Sequence, residues 1–130
     1  EVENYDQLII CEDIELYSVC EHHMIPFYGK AHVAYLPNKQ VIGLSKLARL
    51  VDIYARRLQI QERIGQQVTA ALMEHLRPKA AACIIQARHM CTCMRGVNKQ
   101  NSRMKTASLA GDFLTDPVLR NELYKLLKLR

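Results

Sequence analysis

Two short segments hold the residues best suited to chemistry: Cys20-Glu21-His22-His23, and His89-Met90-Cys91-Thr92-Cys93. A Cys-x-x-His step is the spacing at which a tight turn lets a thiolate and an imidazole reach one zinc ion. The distant second segment adds another thiolate and a spare histidine. The count comes to three protein ligands with histidines left over. Catalytic zinc sites use three protein ligands plus a water, whereas structural sites fill all four positions with protein. The pattern therefore points to a metal-dependent hydrolytic site. Cys93 is the ambiguous residue. On an extended strand it would share a face with Cys91 and could close the site as a fourth ligand, but two extended residues rarely reach one ion without a turn.

Such groups need elements that bring them together. Leu8 to Val19 reads as a strand, with an apolar run followed by alternation of Ile14, Leu16 and Ser18 against Asp13, Glu15 and Tyr17, and it delivers Cys20 at its end. Pro26 and Gly29 punctuate the next stretch, and Lys30 to Leu36 resumes as a second strand, expected to pair antiparallel with the first around the metal-bearing turn. The period then becomes helical: Leu47, Val51, Tyr54, Ala55 and Leu58 form one face, with Ser45 placed to cap the start. Ile60, Ile64, Val68, Leu72 and Leu76 predict a second helix ending before Pro78, with Leu58-Gln59 as a break between the two. Ala80 to Met94 is extended again, a polar linker runs from Asn98 to Arg103, and a last strand is expected near Lys105 to Phe113. Asp116-Pro117 then opens a terminal helix. The order β-β-α-α-β-β-α implies an α+β fold, an antiparallel sheet with helices on one face.

Composition bounds the function. With 130 residues the chain is expected to form one domain over 1–130, and its 49% hydrophobic and 24% charged residues argue against disorder. It has no apolar run of about 18 residues and no basic-then-apolar start, so neither a membrane span nor a signal peptide is expected. Five cysteines are an odd number in a chain with a normal apolar fraction, which fits a reducing compartment better than a disulfide scaffold. Cys11 and Cys83 sit in apolar runs and read as small core residues. The net charge of +5 suits a polyanionic ligand, either nucleic acid or a nucleoside triphosphate. With no Trp and two Phe, the stacking platforms of a single-strand binder are not evident.

The quoted segments closely resemble GTP cyclohydrolase I. The resemblance rests on Cys20-Glu21-His22-His23 with Pro26-Phe27 and Gly29, Gly43-Leu44-Ser45-Lys46 with Ala48-Arg49, and Ala55-Arg56-Arg57-Leu58-Gln59 with Gln61-Glu62-Arg63. It continues through His89-Met90-Cys91 and Met94-Arg95-Gly96-Val97. These pieces keep family order from about Val19 to Leu127.

The resemblance implies a tunnelling fold, whose sheets join between subunits into a barrel. It also implies a cytoplasmic homo-oligomer, usually a decamer, with active sites between subunits and no nucleic-acid or membrane partner. The implied reaction is hydrolysis of GTP at C8, loss of formate and rearrangement to 7,8-dihydroneopterin triphosphate, the first step of tetrahydrofolate and pterin biosynthesis. Carried over by motif, Cys20, His23 and Cys91 are the Zn2+ ligands, and zinc would lower the pKa of its water toward about 7. His22 and His89 are implied as proton handlers. Glu62 would accept from guanine N1 and the exocyclic amine, and Gln61 would add an amide contact. Lys46, Arg49 and Arg95 would hold the triphosphate, with Ser45 near the ribose.

The same residues admit duller readings. Lys46, Arg49, Arg56 and Arg57 could be a solvated helix face, Gln61-Glu62 a favoured N-terminal turn, and His32 and His75 structural or surface residues. Nineteen residues precede Cys20, so the usual N-terminal helical extension is expected to be absent. Met104 and Ala107 stand where the family commonly has Thr or Ser, which could alter substrate closure. A relative acting on another nucleotide, or stopping at a ring-opened product, is the alternative enzyme. A zinc-stabilised nucleic-acid module is the non-enzymatic one, and it predicts strongly salt-dependent binding.

Overall fold

A computed structural model describes residues 7–90 and 102–127. Its first strand, β1 (Ile9–Cys20), buries every second side chain from Ile14 to Cys20. The alternation does not run through the whole strand. Cys11 is also buried, and the register to β2 (Pro26–Leu36) slips between Cys11 and Ile14. Asp13 takes a left-handed φ of 59° there, as expected of a bulge that inserts extra chain and re-aims the side chains after it.

The sheet order is β3-β1-β2-β4-β5. β1 and β2 pair antiparallel from Ile9↔Tyr35 to Val19↔Pro26, as expected. β2 also pairs antiparallel with β4 (Ala80–His89), and β4 with β5 (Met104–Gly111). The expected extended stretch therefore holds as far as His89 and has ended by Met90, and positions 91–94, with Cys91 and Cys93, lie outside the described residues. Leu58-Gln59 does separate the two helices, and it also forms a short strand, β3 (Leu58–Gln59), parallel to the end of β1 through Val19↔Leu58 and Cys20↔Gln59.

β4 is buried on both faces, so its side chains divide between two cores. Ala81, Cys83, Ile85 and Ala87 face Leu47, Val51 and Ala55 of α1 (Leu44–Ala55) and Ile64, Val68 and Leu72 of α2 (Gln61–His75). Full burial of each large apolar side chain contributes about 1.5–3 kcal/mol, so this layer dominates the fold. Ala80, Ala82 and Ile84 face the other way, toward Phe113 of α3 (Asp112–Thr115) and Leu123 and Leu127 of α4 (Pro117–Leu127). The two long helices thus share one face as expected, and the short terminal pair adds a cover to the other.

Ser45 does not cap α1. The N-cap is Gly43, with no side-chain cap hydrogen bond, and Ser45 lies inside the first turn. Asp116 does cap α4: its carboxylate accepts from the Val118 and Leu119 N–H groups at 3.0 and 3.3 Å.

Candidate active site at one end of the sheet

The β1–β2 turn carries the Cys-x-x-His step. It is closed by Met24 N–H donating to the Cys20 carbonyl at 2.7 Å and Cys20 N–H donating to the Ile25 carbonyl at 3.0 Å, with Met24 in the left-handed region at φ 54°. Cys20 is buried at the strand end while His22 and His23 are exposed. Their rings stand 6.4 Å apart at 71°, so the neighbours point in different directions.

This turn is tied to α2. Glu21 N–H donates to the Gln59 carbonyl at 3.0 Å, and the Arg63 guanidinium donates to both Glu21 oxygens at 2.8 and 2.9 Å. The hydrogen bond from Arg63 holds the Glu21 carboxyl below its usual range. Gln59, 1% exposed, donates to the Tyr54 carbonyl and to Gln67, which fixes β3 between the helices.

His89 comes to the same end because β4 pairs it with Phe27, eight positions past Val19 along the hairpin. The imidazole stacks on Phe27 with centroids 4.4 Å apart and planes 6° from parallel. Its Nε2 lies 2.8 Å from Gln61 Oε1. Burial pushes the His89 pKa down, and the Glu62 carboxylate works in the opposite direction.

Gln61 and Glu62 open α2 but diverge. Glu62 is exposed, while Gln61 is 1% exposed and its amide nitrogen donates to the Ile85 and Met104 carbonyls and to Thr106 Oγ1. Ser45, Lys46 and Arg49 are not brought to this end. At about 1.5 Å per residue, Lys46 is ~14 Å along α1 from Ala55, the end that adjoins β3. Lys46 and Arg49 instead line an apolar groove with His75 and Leu76, which lie at the far end of α2 from Glu62.

Cys91 and Arg95 lie outside the described residues. Among the described residues no group of three or more His, Cys, Asp or Glu side chains converges as a metal site. The donor set still fits zinc: Cys20 and His23 share one turn, and Cys91 is two positions beyond His89 in the sequence. A separate cleft of about 610 Å³ lies on the opposite sheet face, lined by Glu12, Asp13, Lys30, His32 and Arg88 among others, and holds none of the expected site residues described. Sequence reasoning gave Glu21, Arg63 and Phe27 no role. The opposite charges of Glu21 and Arg63 in two motif segments were the available signal.

The arrangement of sheet and helices is shared with the crystal structure of the archaeosine synthase QueF-Like in the apo form, at a TM-score of 0.66 and 14% identity over 80% of this chain and 93% of that one. The chain is thus a protein of that fold. A family model described as GTP cyclohydrolase I matches residues 1–128. GTP cyclohydrolase 1 of Leptospira biflexa is 52% identical over 97% of this chain and 69% of its own length, and that of Homo sapiens 51% over 97% and 50%. The Alkalilimnicola ehrlichii enzyme is 54% identical over 95% of this chain and 66% of its own length. The chain belongs to the GTP cyclohydrolase I family, and it spans between half and about two thirds of the length of these relatives.

Proposed function

We propose that this chain carries a zinc-dependent GTP cyclohydrolase I activity: hydrolysis of GTP at C8, release of formate and rearrangement to 7,8-dihydroneopterin triphosphate. The observation that carries this reading is the meeting of the Cys20–His23 turn, His89 and the start of α2 at one end of the sheet, in a chain of this family. Cys20, His23 and Cys91 hold the metal. Zinc bound there supplies a Lewis acid that activates water at neutral pH.

The remaining work falls to the chain's own groups. His22, exposed on the turn, and His89, fixed between Phe27 and Gln61, give and take the protons that opening an imidazole ring requires. Glu62 accepts from guanine N1 and the exocyclic amine, and its exposure at the first turn of α2 leaves both oxygens available to a base.

Lys46, Arg49 and Arg95 hold the triphosphate and Ser45 the ribose. Since the start of α1 is remote from His89 within one chain, these α1 residues serve a site completed by a second copy. A homo-oligomer, decameric as is usual in the family, is supported by two open edges. Among the described residues, β1 meets β3 only at Val19 and Cys20, and the outer edge of β5 has no neighbouring strand. We place the protein in the cytoplasm because its five cysteines, an odd number in a chain with a normal apolar fraction, suit a reducing compartment.

The test is to incubate the purified, zinc-analysed protein with GTP, with and without a chelator, and to identify products by mass. Formate and dihydroneopterin triphosphate in equal amounts, lost on chelation and in His89→Ala, are expected. Intact GTP from an assembled, zinc-loaded protein overturns the reading, and a formylated ring-opened product would favour the relative that stops early.

A further inference from the structure

Gln61 is the most completely committed polar side chain near the candidate site. It is 1% exposed, and its amide nitrogen lies 3.2 Å from the Ile85 carbonyl, 3.0 Å from the Met104 carbonyl and 3.1 Å from Thr106 Oγ1. The two backbone carbonyls can only accept. Turning the amide over would set its oxygen against both of them, so the nitrogen end is fixed on β4 and β5. The oxygen end must then be the one that meets His89 Nε2 at 2.8 Å, and an amide oxygen can only accept. His89 Nε2 therefore carries a hydrogen whether the ring is neutral or charged.

We infer that Gln61 is a positioning residue for His89: its inward-locked amide holds the neutral imidazole as the Nε2–H tautomer, with the lone pair on Nδ1. Phe27, stacked on the ring at 4.4 Å, fixes its plane, and Gln61 fixes its rotation within that plane. Gln61 does this in place of an amide contact to the purine, because its side chain would have to leave both strands to reach a ligand. The catalytic consequence rests on the proposed GTP chemistry, whereas the tautomer does not.

Two measurements test it. Ring 15N spectra of histidine-labelled protein at about pH 8.5, well above the ordinary imidazole range, are assigned by subtraction with His89→Gln. His89 is expected as the Nε2–H tautomer, and an Nδ1–H form or an even mixture overturns the inference even if the protein turns over no GTP. In Gln61→Met the tautomer preference is lost, and kcat falls about 10- to 100-fold, the range for losing a group that orients a functional histidine. KM for GTP stays within about 3-fold. A KM raised tenfold or more with kcat kept would mean that Gln61 binds the base after all, and would sink the proposal. If Gln61→Met does not fold, the ring spectrum of the unsubstituted protein still decides.

Discussion

Arg63 grips both carboxylate oxygens of Glu21 at 2.8 and 2.9 Å, and so bolts the turn bearing Cys20 and His23 to the helix that begins with Gln61 and Glu62. A two-pronged guanidinium–carboxylate contact fixes orientation as well as distance. Its purpose follows from what it joins: one partner sits between two expected metal-binding positions, the other one residue after the expected guanine-binding carboxylate. Removing either partner should loosen the turn. We expect Arg63→Ala to weaken zinc binding about 10-fold in a chelator competition, as loss of an outer-sphere support typically does. The exchanged pair Glu21→Arg with Arg63→Glu should recover part of it, and unchanged zinc affinity in Arg63→Ala would refute the role.

Much of this end of the molecule was legible in the sequence because it depends on short-range rules. The Cys-x-x-His step and the alternation of Ile14, Leu16 and Ser18 are local, and both correspond to the observed turn and strand. What was not legible depends on tertiary partners. Neighbouring Gln61 and Glu62 look alike in a helix N-terminal turn, yet only the Ile85 and Met104 carbonyls decide that one turns inward. The bulge at Asp13 shows in the sequence only as the odd, three-residue step from Cys11 to Ile14, and Ser45 invited a capping role that Gly43 fills by backbone alone.

That uncapped start offers a second prediction. Gly43 has φ −68° and ψ 151°, a conformation any residue adopts, and an added Cβ would meet nothing within 4 Å. Gly43→Ser should therefore gain a few tenths, about 0.3 kcal/mol, from a hydroxyl accepting at the first turn. Gly29 is the opposite case, since a Cβ there would run into the Gln86 carbonyl and crowd Ala87 on the neighbouring strand. Gly29→Ala should cost about 1–3 kcal/mol by urea unfolding. Equal midpoints for the two variants would show that the β2–β4 spacing is looser than described.

His32 makes stability depend on pH. It is buried on the cleft side of β2, where its Nδ1 accepts from the Asp13 N–H at 3.2 Å. Burial pushes its pKa down; the nearby Asp13 and Glu12 carboxylates oppose that shift, and Lys30 adds to it. With the folded pKa below the unfolded value near 6.5, the unfolded chain binds the proton more readily. The stabilisation is therefore full above about pH 6.5 and is lost as pH falls through the folded pKa. The protein should melt at a lower temperature at about pH 5.5 than at about pH 7.5, and His32→Gln should shrink that difference. An unaltered pH slope in the variant would assign the effect elsewhere.

The separation of Lys46 and Arg49 from His89 yields the prediction with the most consequence for assembly. If Lys46 and Arg49 bind the triphosphate as proposed, at a site whose histidine belongs to another copy, two inactive variants can repair each other. In a random co-assembly of His89→Ala with Arg49→Ala, a site at a contact between copies draws each residue independently. About one quarter of sites would then receive both native side chains. Mixing the variants, dissociating and reassembling them should restore activity toward that fraction, while each variant alone stays inactive. A site built within one chain has no such route, because every chain in the mixture lacks one of the two groups. Failure to recover activity in demonstrably mixed oligomers would mean that α1 is not part of the site that contains His89, and the triphosphate would need another basic surface.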